Sequence, residues 1–325
     1  MTINANFSKI TPSKSKYQLL LPLISLKYTV MNFDLVAKVI AFHSYKGGTG
    51  KTTLAVNLSA NLASKGYNVL LVDMDVYAPS LYVYFNIQPK QWINDYLNDK
   101  IAFCDSVYDF SHLMKEFNPN TQTEDKGGSF HAVFSNPSKK EITDLDSVMR
   151  KDSSKSHMLK KMLYLKETSI TVTDYDYIIL DTSPGIRYWS INSLAISDTI
   201  FLSLKMDNID VEGTKHMALD VYGSFTSYGT RSYLLLNRVA GYCEPPLTME
   251  SGNPISNENT SSFKSLLLEQ NETIKNLEKL IKMNVISMIP CYCDMQFERQ
   301  EYLTVLRNPN HPFSKKVDEL SNKMG

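Results

Sequence analysis

The stretch from Val39 to Gly66 constrains the fold of this chain more than any other. Val39-Ile40-Ala41-Phe42 is a short β-branched and aromatic run, expected to be a buried strand. A glycine-rich turn follows at once. Thr53 to Lys65 then carries Leu54, Val56, Leu58, Leu62 and Ala63, an apolar-rich helix that Gly66 closes. The turn reads Lys46-Gly47-Gly48-Thr49-Gly50 and the helix opens Lys51-Thr52-Thr53. A strand, such a turn and such a helix together make an anion trap. Glycines let backbone N–H groups approach and surround a phosphate. The helix N-terminus adds unpaired donors and a partial positive charge. Lys51 is placed to reach the outer phosphates of a nucleotide, and the Thr52 hydroxyl to ligate Mg²⁺. The strict spacing G-x-x-x-x-G-K-[ST] is not met. Tyr45 holds its first glycine position, and a second lysine, Lys46, sits inside the loop.

The rest of the chain repeats the alternation. Val69-Leu70-Leu71-Val72 is a second strand that ends at Asp73, and Tyr177-Ile178-Ile179-Leu180 is another that ends at Asp181. Phe130–Phe134, Ile200–Leu204, Tyr233–Leu236 and Val285–Ile289 read as further strands, the last stopped by Pro290. Pro137-Ser138-Lys139-Lys140 reads as a turn. Met158–Leu165 reads as a helix, and Thr260–Met283 has partial helical spacing. Short, fully apolar strands alternating with helices imply an α/β fold in three layers, a mostly parallel sheet flanked by helices. Asn118-Pro119-Asn120, Gly127-Gly128 and the polar tract Asn253–Ser262 read as loops. The segment 86–128 carries no clear pattern.

At 325 residues, 43% of them apolar, the chain can bury one large core. Residues 1–36 are expected to be an extension outside the fold, and 37–325 a single domain. Lys+Arg and Asp+Glu are both 34, so no global basic field draws the protein to DNA or an anionic membrane. No apolar run reaches the length of a membrane-spanning helix. Leu19–Leu26 follows Lys9, Lys14 and Lys16, yet no small-residue cleavage pattern comes after it. Cys104, Cys243, Cys291 and Cys293 form no C-x-x-C pair and no disulfide framework, which suits a reducing cytosol. The six histidines are scattered without ligand spacing, and His43 is expected to be structural.

Lys46 to Thr53 resembles the deviant Walker A motif of the MinD/ParA ATPases, a family that often lacks the first glycine. The resemblance runs from about residue 39 to about 320 and implies a P-loop NTPase fold of the SIMIBI type, with ATP and Mg²⁺ as ligands. It implies that Lys46 reaches across an ATP-dependent homodimer to the partner's nucleotide, where a cation stabilises the transferred phosphoryl group. Val72-Asp73-Met74-Asp75 resembles the family's switch I, and gives Asp75 the role of orienting the attacking water. Tyr175 to Gly185, with Asp181-Thr182-Ser183-Pro184-Gly185 at its end, resembles Walker B and switch II, and makes Asp181 a holder of the Mg²⁺ shell, through water. Gly185 would let that loop move with the γ-phosphate. Asn237 resembles the asparagine that reads the adenine ring, with Arg238 beside it. Pro290 and the residues after it resemble the loop that closes over the base.

The resemblance thus implies an ATPase acting as a dimerisation switch in spatial organisation, such as partition, division-site placement or positioning of a polar machine. It implies an activating partner protein and a cytoplasmic setting. Contact with a membrane surface or non-specific DNA is left open, since the sequence shows neither. Two other classes stay open. Asp75-Val76-Tyr77-Ala78-Pro79-Ser80 looks like the switch I of the Mrp/ApbC iron–sulfur carriers, and Cys291-x-Cys293 invites a cluster, although those relatives use C-x-x-C. The other is a nucleotide-binding scaffold that does not hydrolyse ATP. Phe313, Val317, Leu320 and Met324 are apolar at helical spacing. Asp318 and Glu319 interrupt the basic face a membrane-seeking helix needs, so this is expected to be the last helix packing on the sheet.

Overall fold

The computed structural model of the chain describes residues 38–117, 128–149, 152–171, 174–227, 229–239, 272–292, 294–295 and 303–324. The readings made above for residues 1–36, 118–120, 253–262, Cys243 and Cys293 lie outside these residues, as do residues 260–271 of the segment 260–283. Of that last segment, residues 272–281 are helical.

Eight strands form one sheet: β1 (Lys38–His43), β2 (Val69–Met74), β3 (Tyr108–Asp109), β4 (Phe130–Val133), β5 (Tyr177–Thr182), β6 (Thr199–Leu204), β7 (Arg231–Val239) and β8 (Val285–Pro290). Their order is β3-β4-β2-β5-β1-β6-β7-β8. Every pairing is parallel except β3 with β4. Side chains alternate between the two faces of a strand. In β1 both sets are buried: Val39 and Ala41 on one face, Ile40 and Phe42 on the other, all at most 2% exposed. Both faces are therefore covered, as the unbroken apolar runs of the sequence require.

The helix Lys51–Ser64 packs on β1, β2 and β5, and the terminal helix Pro312–Asn322 packs against it and β8. Phe313, Val317, Leu320 and Met324 are buried there, so the last apolar stripe joins the core. The helix Tyr188–Ile196 also packs on β1, β2 and β5, and is backed by the helix Asp152–Thr171. Phe42 of β1 and Phe201 of β6 meet edge to face at 5.3 Å between ring centres, tying the centre of the sheet together.

Three readings need correction. Pro137 does not end in a turn through Lys140, because a helix begins at Lys139 and runs to Met149. Asn237 does not follow its strand but lies inside β7, and Pro290 is the last residue of β8. The segment 86–117, unreadable as a pattern, holds the short helices Ile93–Leu97 and His112–Phe117, a 3₁₀ turn at Phe103–Ser106 and the two-residue β3. Elements of two to six residues are too short to carry a period, and an aromatic cluster of Phe85, Phe110, Phe130 and Phe134 holds them in place.

Candidate functional site

The central strand β1 delivers the glycine-rich loop to the carboxyl edge of the sheet, where open parallel sheets bind ligands. Gly48 and Gly50 have φ of +75° and +85°, and Gly50 caps the helix that starts at Lys51. A β-carbon on Gly50 would lie 2.3 Å from Asn237 Nδ2, so only glycine fits between the loop and β7. The Thr49 carbonyl accepts from Asn237 Nδ2 at 2.7 Å and from Ser203 Oγ at 3.0 Å. On the other side Gly185 N–H donates to the Ser44 carbonyl at 2.8 Å. The loop is thus moored to β6, β7 and the segment after β5 at once.

A cleft of about 360 Å³ opens over it, lined by Gly47, Gly48, Gly50, Lys51, Thr52 and Thr53 from the loop and helix. Asp75, Tyr84, Pro184 and Arg238 complete the wall. Lys51 is nine-tenths out of solvent, and its Nζ donates to Ser44 Oγ at 2.9 Å. Burial lowers its pKa, opposed by the nearby charges of Asp181, Asp75 and Asp210. Asp181 is buried and bonded to the Thr52 side chain, while its Oδ1 has no hydrogen-bond partner. Burial raises its pKa to about 7, with Lys51 and Thr52 pulling the other way. Asp73, directly across from Asp181 in the β2–β5 register, is pushed well up by burial and by Asp181 and Asp75. Asp75 is half-buried. Its Oδ1 accepts from Ser183 Oγ at 2.7 Å and from Ala78 N–H at 3.2 Å.

Most of the residues singled out from the sequence meet here. Gly47, Gly48, Gly50, Lys51, Thr52, Thr53, Asp75 and Arg238 share the cleft, and Asp181 stands beside Lys51 and Thr52. Four sit elsewhere. Thr49 is buried and gives the site its backbone, not its hydroxyl. Asn237 supports the loop from behind through Thr49. Pro290 pairs with Val239 and is not in the cleft wall. Lys46 does not line its own cleft; its charge acts on Asp210, which is buried at the start of the helix Asn208–Met217. His43 is buried and neutral, its Nδ1 2.6 Å from Thr182 Oγ1, and burial lowers its pKa to about 3. Cys291 is half-buried just past β8.

Sequence reasoning missed Ser44, Ser183 and Asp210. Ser183 lies within the segment Tyr175 to Gly185 named above, and Ser44 falls between the first strand and the glycine-rich loop, next to Tyr45. Asp210 had only a helix-start signal, since Asp207 caps its N–H, and nothing in the sequence aimed it at the loop 160 residues away.

A parallel sheet with this loop at its central strand, a lysine and a hydroxyl opening the next helix and a carboxylate on the neighbouring strand defines a P-loop nucleotide-binding protein. A family model described as an AAA domain matches residues 37–223. An uncharacterised protein of Methanocaldococcus jannaschii is 30% identical over 181 residues, 55% of this chain and 63% of that protein's length. The chromosome-partitioning ATPase Soj of Treponema pallidum is 28% identical over 61% of this chain and 75% of its own. The septum site-determining protein MinD of Pyrococcus horikoshii, solved with Mg-ADP, covers 89% of this chain and 96% of its own at a TM-score of 0.60 and 17% identity. The chain belongs to the MinD/ParA family of deviant Walker A P-loop ATPases.

Proposed function

We propose that this chain is a Mg²⁺-dependent ATPase that uses ATP to pass between monomer and homodimer, in the service of placing other components within the cell. The observation that carries the reading is the pairing of a glycine cradle with a buried Lys51 and an unpartnered Asp181 Oδ1 at its floor. A buried acceptor without a partner is costly. A hydrated magnesium ion, held with the Thr52 hydroxyl, is the natural occupant, so the donor set fits the ion and the nucleotide it accompanies. Bound there, the ion supplies charge neutralisation for the β- and γ-phosphates. Thr52 and Asp181 are its candidate protein-side holders.

The chain's own residues do the rest. Backbone N–H groups of Gly47 to Thr53 and the Lys51 ammonium grip the phosphates. Asp75 orients a water for attack on the γ-phosphorus; the bond to the ADP oxygen breaks, and water's proton passes to Asp75 or solvent, giving ADP and phosphate. Lys46 stands outside its own cleft. It serves best by reaching a second protomer's nucleotide, which supports an ATP-dependent dimer. Arg238, which lines the cleft beside Gly50, is assigned to the base, with Asn237 next to it.

Spatial organisation as the use of this cycle, and an activating partner protein, rest on the relatives named for chromosome partitioning and septum siting. The test is phosphate release and light scattering on the purified full chain with Mg·ATP. Dimer formation with ATP, and turnover abolished by Lys51→Ala, are expected. A nucleotide-bound dimer that never releases phosphate, even with partner proteins from its own cells, would leave a scaffold and overturn the enzyme.

A further inference from the structure

Ser183 sits beside two residues of the cleft wall, its chain neighbour Pro184 and its hydrogen-bond partner Asp75. It is fully buried, and its carbonyl accepts from Ser190 Oγ at 2.7 Å, which fixes its backbone to the helix Tyr188–Ile196. From that support its hydroxyl donates to Asp75 Oδ1 at 2.7 Å; the next acceptor, the Met74 carbonyl, is at 3.5 Å. A hydroxyl has a single proton to give. The bond is short, and a hydrogen bond to an ionised carboxylate is among the stronger ones. The Ala78 N–H falls on the same oxygen. Both donors therefore occupy Oδ1, and Oδ2 is the oxygen left for the cleft that Asp75 lines.

We infer that Ser183 is a positioning residue for Asp75. It holds the carboxylate in one rotamer with Oδ2 directed to the water, and makes that rotamer depend on the loop Ser183–Arg187. The inference rests on the role given to Asp75 above. Two further contacts tie the same loop to its surroundings. Gly185 N–H is bonded to Ser44 of the phosphate loop, and the Arg187 guanidinium lies 4.3 Å from the Tyr77 ring centre. Any shift of the phosphate loop's Ser44 is thus transmitted through Gly185 and Ser183 to the carboxylate of Asp75. Misplacing a reacting group by an ångström costs a large part of what positioning supplies.

The experiment uses the full chain with Ser183→Ala, Ser183→Thr, Ser183→Cys and Asp75→Ala, reading kcat and KM for phosphate release and the Kd for Mg·ATP by calorimetry. Ser183→Ala is expected to lower kcat about tenfold, a fraction of the ~10²–10⁴ that a positioned base supplies, with KM and Kd within about twofold. Ser183→Thr keeps the hydroxyl and is expected to restore most of the rate. Ser183→Cys, with a weak donor, is expected to follow Ser183→Ala. Ser183→Ala turning over normally while Asp75→Ala is inactive overturns the positioning role alone. Normal turnover in Asp75→Ala overturns the reading of Asp75 beneath it. A fall in kcat matched by an equal loss of Mg·ATP binding assigns Ser183 to the fold and also overturns the inference.

Discussion

The two ends of the cleft are built in opposite ways. The phosphate end comes from one contiguous stretch, Gly47 to Thr53, whose glycines, lysine and hydroxyls all work locally. The end proposed for the base draws on Asn237 and Arg238 of β7, of which only the exposed Arg238 lines the cleft. The first is charged and tightly moored; the second carries one cation. Binding energy should therefore concentrate at the phosphates, with the base adding discrimination.

The sharpest break of that contrast is Lys51→Ala. It removes the buried lysine that lines the cleft, and Mg·ATP affinity should fall about 100-fold or more in calorimetry. Next comes Gly50→Ala, which combines a φ of +85° with a β-carbon 2.3 Å from Asn237 Nδ2. Urea unfolding should show a loss of roughly 2–3 kcal/mol. Gly229→Ala is the control: its φ is +88° with nothing within 4 Å, so strain alone, about 1 kcal/mol, is expected.

A pH series tests the charge at the floor of the deep end. Asp181 has a pKa of about 7 in the folded chain and an ordinary carboxylate value when unfolded. The folded state then binds more protons between about pH 4 and 7, so stability falls as pH rises through that window. His43, held near 3, pulls the other way as pH drops below its ordinary value of 6.5. The measurement is thus the melting temperature of the nucleotide-free wild type minus that of Asp181→Asn, which should shrink from pH 5 to 7 and then flatten. A flat difference throughout would mean Asp181 is charged without its metal. The smallest effect belongs to Arg238→Ala, a few-fold loss of affinity worth about 1 kcal/mol. A loss exceeding that of Lys51→Ala would invert the comparison.

The same contrast explains what could be read without coordinates. The phosphate end was legible because a strand, a glycine turn and a helix start obey local rules, and seven residues in a row carry the chemistry. Asp181 was legible as an acid closing a buried strand, and Asp75 through the likeness of Val72–Asp75 to the family's switch I. Asn237 was found by its motif, yet its contact with Thr49 depends on β7 lying next but one to β1, which no local pattern states. Asp210 and Ser183 escaped because their meaning lies in which charge or carboxylate they meet across the fold. The segment 86–117 escaped because its elements are held by aromatic packing, not by periodicity.

The Thr49 carbonyl, gripped by donors from β6 and β7, has one more implication. A loop held by such bonds has little freedom left to surrender on capture. Nucleotide should then enter at a rate governed by diffusion and charge, not by folding of the loop. In the dimerisation cycle proposed above, the slow steps would then be protomers meeting and parting, and the protein would keep time by its assembly and not by its grip.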